Sequence, residues 1–193
     1  MNRLCISHAS VILVGYCESD YTQVHCAVAT NLKRLIQTVI TPEMAEAAVA
    51  AHEAARVGAS VGRCQPVFDL ISAVGSLLQF QYQRAWIYVF DAVRYLFEHL
   101  PSHTGEVAGE IMLTLAEIYK ASVADTVQVS SAVHAALQET LGTAVKTMGV
   151  TLFLQVLPIR TSEQDDLGSV HTNTCLLAPL IRDQVKVTVD ICI

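Results

Sequence analysis

Between Asp125 and Pro158 the chain reads DTVQVSSAVHAALQETLGTAVKTMGVTLFLQVLP, and its apolar and small residues recur with the period of an α-helix. Val129, Ala132, Val133, Ala136, Leu137, Leu141, Ala144, Val145 and Met148 fall on one helical stripe. Gln128, Ser130, His134, Gln138, Glu139 and Lys146 fall mostly elsewhere and are expected on the solvated side. Asp125, with Gln128 behind it, reads as an N-cap in a box-like arrangement. Gly149 can adopt the left-handed conformation that ends a helix. Val150 to Val156 is then apolar enough for a short second helix, stopped by Pro158. A helix that ends on glycine and resumes at once must change direction. That construction builds stacked helical hairpins rather than a closed catalytic pocket.

The rest of the chain repeats the theme. Asp20 to Ile40 reads as a helix with Val24, Ala27, Val28, Leu32, Leu35, Ile36 and Val39 inward and Lys33, Arg34 and Gln37 outward. Thr41-Pro42-Glu43 is a strong restart: a cap, a proline at the first helical position and an acid in the first turn. The following alanine-rich helix runs to Arg56, and Val57 to Gln65 is a loop. Pro66 opens a helix to about Leu78, and Gln79 to Gln83 is a turn. Tyr82 to Leu100 is the most aromatic helix; Trp86, Val89, Phe90, Val93, Leu96, Phe97 and Leu100 make one face. Ile87, Tyr88 and Tyr95 cover a second, so this helix is expected to be buried on two sides. Pro101 to Gly105 is a hairpin turn, and Glu106 to Ala121 is the partner helix, led by Val107, Ile111, Leu115 and Ile118. Met1 to Glu18 reads equally as helix or strand.

Helices alternating with short turns, in pairs recurring every ~40 to 47 residues, have the HEAT/armadillo period. The expected fold is therefore all-α, a HEAT/armadillo-type helical-repeat solenoid segment spanning residues 1–193. The polar stretch Ile159 to Thr174 is expected to be an inserted loop. The last residues, VKVTVDICI, carry no terminating signal, which fits a piece of a longer solenoid.

Apolar residues make up 52% of the chain and the mean hydropathy is +0.43. A solenoid segment reads as this apolar because each helix pair packs on a neighbour at both sides. No run reaches the ~18 apolar residues of a membrane span. The net charge is −6, from 12 basic and 18 acidic residues, with no Lys/Arg cluster. Such a surface is a poor RNA or anionic-membrane binder. The 6 cysteines show no C-x-x-C spacing and are expected to be reduced and buried.

No phosphate loop, H-E-x-x-H, G-x-S-x-G or EF-hand pattern occurs. His99 and His103 straddle Pro101 and do not share a helix face. His171 with Cys175, or Glu163 with Asp165 and Asp166, gives too few ligands or the wrong spacing for a metal site. The chain is thus read as a non-enzyme with no cofactor, no metal and no small-molecule substrate. The aromatic helix is read as core rather than as a base-stacking platform, for want of positive charge beside it.

The run LGTAVKTMG…LFLQVLPI, followed by PLIRD at Pro179 to Asp183, resembles the ribosomal RNA processing protein 12 family. The upstream run LLQFQYQRAWIYVFDAVRYLFEHL, Leu77 to Leu100, fits the same family's preceding helices, so the resemblance covers about residues 65–183. Two departures stand out: Val150 replaces a proline, and Thr174, Cys175 and Leu176 replace an Arg, a small residue and a Trp. The resemblance implies a nuclear and nucleolar HEAT-repeat scaffold of small-subunit ribosome biogenesis, pre-rRNA processing and export. Its partners would be pre-ribosomal proteins and, through the particle, pre-rRNA. Arg182 and Asp183, within the matched PLIRD, are the first candidates for partner contact, with Arg160 and Lys186 as further basic residues near them. A local ion pair closing the turn after Pro179 is the competing reading of Arg182 and Asp183. A karyopherin-like transport adaptor, or another protein-binding solenoid, would share the fold; an acidic inner surface facing basic cargo would favour it.

Overall fold

The computed structural model describes residues 12–56, 65–100, 107–124 and 126–157, and among these every regular element is helical. After a helical turn at 12–16 come α1 (Thr22–Val39), α2 (Pro42–Arg56) and α3 (Gln65–Ser76). A 3₁₀ segment (Phe80–Ala85) leads into α4 (Trp86–His99), followed by α5 (Gly109–Val123), α6 (Ser131–Met148) and α7 (Val150–Val156). The expected turn at Gln79 to Gln83 and the first residues of the aromatic helix are thus one tight 3₁₀ stretch. The expected hairpin turn at Pro101 to Gly105, the loop at Ile159 to Thr174 and everything beyond Leu157 lie outside the described residues.

The helices form two layers. In one, α4 lies between α1 and α6. In the other, α5 lies between α3 and α7, and α2 packs on α3. The layers meet where α1 touches α3, α5 touches α6 and α6 touches α7. Burial of α4 on two sides follows from its place in the layer: Trp86, Phe90, Val93, Leu96 and Phe97 are all fully buried. Ile87, expected on the second inward face, is instead exposed, because it falls outside both flanking contacts.

The α1 stripe is rotated from its expected position. His25, Val28, Ala29, Leu32, Ile36 and Val39 are buried, whereas Ala27 is exposed. The rotation is permitted because the His25 ring, buried among apolar groups, donates from Nε2 to the Ser19 carbonyl at 2.6 Å. Lys33 does not point into solvent as expected; it reaches Asp91 on α4 and lies over the Tyr95 ring, 5.9 Å from its centroid.

Of the two expected caps, one is as read and one is not. α2 starts as the sequence requires, with the Thr41 hydroxyl accepting from the Met44 amide at 3.3 Å. α6 is capped by Ser130, whose hydroxyl accepts from Val133 N–H at 3.3 Å; Asp125, the expected cap, lies outside the described residues. Ser130 is exposed, as expected of the solvated side, and the helix begins one residue after it. Ala132, in the first turn, is accordingly exposed rather than part of the core stripe.

Gly149 ends α6 and starts α7 at once. Its N–H donates to Val145 O at 2.9 Å, and its carbonyl accepts from Phe153 N–H at 3.1 Å. Its φ is 80° and its ψ 154°, so it is not in the left-handed helical well expected of a helix end. That conformation is open in practice to glycine alone. The abrupt change of direction lets Phe153 and Leu157 turn back into the core.

Candidate interaction surfaces

The expected contact residues Arg160, Arg182, Asp183 and Lys186 lie outside the described residues, as do His103, His171, Cys175, Glu163, Asp165 and Asp166. Among the described residues no three His, Cys, Asp or Glu side chains gather as metal ligands, and no helix is long and apolar enough to cross a membrane. The described thiols divide: Cys17 is buried and Cys26 is exposed, which corrects the expectation of burial for Cys26. Burial pushes the Cys17 thiol up to about 11, so it is a neutral packing group at neutral pH.

A chain of ion pairs crosses the first layer from helix to helix. Lys33 of α1 pairs with Asp91 of α4. Asp91 also receives Arg94 at 2.8 Å, and Arg94 reaches Glu139 of α6 at 2.7 Å. Burial raises the Asp91 pKa, but hydrogen bonds and charge from Lys33 and Arg94 outweigh it and hold the carboxyl below its ordinary value. The ladder therefore satisfies its own charges. At one end of the layer Arg84 pairs with Asp20, and the Gln83 amide donates to Gln128 O at 2.7 Å.

One cluster has the composition of a nucleophile and a base. The His134 ring stacks on Tyr119 with centroids 5.2 Å apart, and Nδ1 lies 3.1 Å from the Ser122 hydroxyl. Its hydrogen bonds run the wrong way for catalysis. The Gln138 amide nitrogen lies 3.2 Å from His134 Nε2. The Ser122 hydroxyl in turn donates to Tyr119 O at 2.7 Å. A serine that gives its proton to a backbone carbonyl is not activated by the histidine beside it. The cluster joins α5 to α6, and it corrects the expectation that His134 and Gln138 are simply solvated.

The second layer carries an open groove of about 890 Å³ between α3 and α5, reaching His52 of α2 at one end. Its floor is Ile71, Ile111 and Ile118, all buried, and its walls include Phe68, Val107 and Phe80. Phe80 is 56% exposed while its ring leans on buried Trp86 at 5.5 Å between centroids. Ser72, Gly75 and Thr114 keep the middle shallow in side-chain bulk. Glu110 and Glu117 line it, and among the described residues no Lys or Arg does. The α5 residues were expected as a core-facing stripe, and the two glutamates had no assigned part. Their spacing of seven, beside Val107, Ile111 and Ile118, was the signal in the sequence.

Residues 18–189 match the family described as ribosomal RNA-processing protein 12, HEAT repeats. An RRP12-like protein from Homo sapiens is 24% identical over 170 residues, covering 88% of this chain and 12% of the relative. The chain thus spans about an eighth of that relative's length.

Proposed function

Since the chain belongs to the ribosomal RNA-processing protein 12 HEAT-repeat family, we propose that it works as part of a non-catalytic scaffold in ribosome biogenesis. The observation that carries this reading is the family match across residues 18–189. The finer assignment is to small-subunit assembly, with pre-rRNA processing, particle export and a nucleolar and nuclear location. Its contribution is mechanical. Two helical layers held by a continuous apolar core and a cross-helix ion ladder keep a fixed shape on which partners assemble.

In this reading residues 1–193 form one repeat segment of a longer solenoid, with 159–174 as a polar insertion. Arg160, Arg182, Asp183 and Lys186 are the proposed contacts to pre-ribosomal proteins; pre-rRNA is reached through the assembled particle.

The test is sedimentation of the tagged protein from cells of its source, with rRNA precursors measured in each fraction. Co-migration with precursors of the small-subunit RNA, and their accumulation on depletion, is the expected result. Sedimentation only as free protein, with precursor levels unchanged on depletion, would overturn the assignment.

A further inference from the structure

The α3/α5 groove has a chemistry that specifies its occupant. Its floor is apolar and its small central residues, Ser72 and Gly75, admit close approach of another backbone. A methyl at Gly75 would meet only the Ile111 side chain, at 3.6 Å, so the floor is formed where the two helices come together. Phe80, more than half exposed, is a large apolar group presented at the rim and held by contact with Trp86. An exposed aromatic beside an apolar trough is a feature of recognition surfaces.

Charge selects among possible partners. Glu110 and Glu117 are both exposed and are two helical turns apart, roughly 10 Å along α5. Each of the ion pairs among the described residues is made elsewhere, so these carboxylates keep their negative potential. We propose that the groove binds an amphipathic helix of a partner protein, apolar face down, with Lys or Arg residues two turns apart set against Glu110 and Glu117. A second copy of the chain is a poorer occupant, since its net charge of −6 would face the acidic rim. The inference rests on the groove's own chemistry and not on the biogenesis role.

The probe is a fluorescent leucine/lysine peptide of about five helical turns, titrated into the full chain and followed by anisotropy. Its comparisons are a leucine/glutamate peptide of the same pattern and a scrambled leucine/lysine peptide. The basic amphipathic peptide is expected to bind at least about tenfold more tightly than either. Glu110→Lys with Glu117→Lys should reverse the preference between the lysine and glutamate peptides. Phe80→Ala should weaken both without changing that preference. Far-UV circular dichroism and the urea midpoint confirm that the exposed substitutions leave the fold intact. Equal binding of all three peptides, or a preference untouched by the charge reversal, overturns the proposal. So does sedimentation of the free chain as a dimer that Phe80→Asp dissociates, or cross-linking of a cysteine placed at Ser72 to another part of the same chain.

Discussion

Trp86 is the largest side chain that the fold buries completely, and its indole N–H finds no hydrogen-bond partner among the described residues. The ring packs between Phe80 and Phe90, with centroids 5.5 and 5.9 Å away. Its contribution is therefore dispersion and area, partly offset by one unsatisfied donor. Trp86→Ala is expected to cost about 3–5 kcal/mol in urea unfolding. Trp86→Phe should cost clearly less, because it retains a ring and removes the unpaired donor. A loss below about 1 kcal/mol for the alanine variant would show that the ring is not anchored in the core. Asp91 tests a different kind of interaction. Its carboxylate is 38% exposed and is shared by Lys33 and Arg94, so solvent screens both pairs. Asp91→Asn is expected to destabilise by about 1 kcal/mol at neutral pH. Because its folded pKa lies below the ordinary 3.8, the carboxylate's contribution is present above that pH and fades as pH falls through the lower value. The stability gap between wild type and variant should therefore close in acid; a gap independent of pH would assign the loss to packing.

The α6–α7 joint is where an element's boundary depends on one residue. Nothing lies within 4 Å of a Cβ built at Gly149, so space does not require glycine there. The backbone does, since φ is 80° with ψ 154°. Gly149→Ala is expected to cost about 1–3 kcal/mol through strain alone. Gly149→Asn should give no relief, because asparagine favours the left-handed helical well, which has a different ψ. Equal stability of the asparagine variant and wild type in urea would place the joint in that well instead. α5 and α6 are held together differently, by the Tyr119, Ser122, His134 and Gln138 cluster. Thr140 adds a bond within α6, from its hydroxyl to Ala136 O at 2.7 Å, while its side chain is wholly buried facing Phe90 of α4.

For the whole molecule the governing quantity is charge. An excess of 6 negative charges is spread over a surface on which three of the described basic side chains, Lys33, Arg84 and Arg94, are already paired with carboxylates, while Arg34, Lys120 and Lys146 are scattered singly over three helices. RNA affinity grows with the number of phosphates neutralised together and falls steeply with salt. The isolated chain is therefore expected to bind pre-rRNA fragments no tighter than micromolar at physiological salt, read by filter binding or anisotropy. Sub-micromolar binding would refute this; its loss on changing Arg160, Arg182 and Lys186 would locate the contact.

The amino-acid sequence alone determined the helical class, the starts of α2 and α7, the need for glycine at 149 and the double burial of the Trp86 helix. These are local properties, written in periods of three and four residues, in capping side chains and in glycine or proline at the breaks. Tertiary structure decided which helices became neighbours, and with that the identity of every cross-helix contact. Lys33 and Asp91 are 58 residues apart, so no helical period couples them; they meet because α1 packs on α4. His25 could enter the α1 stripe only because Ser19 offers it a carbonyl. The groove likewise needed two elements. α3 supplies Ile71 and Gly75, α5 supplies Ile111 and the two glutamates, and only their packing turns two amphipathic faces into one acidic, apolar trough.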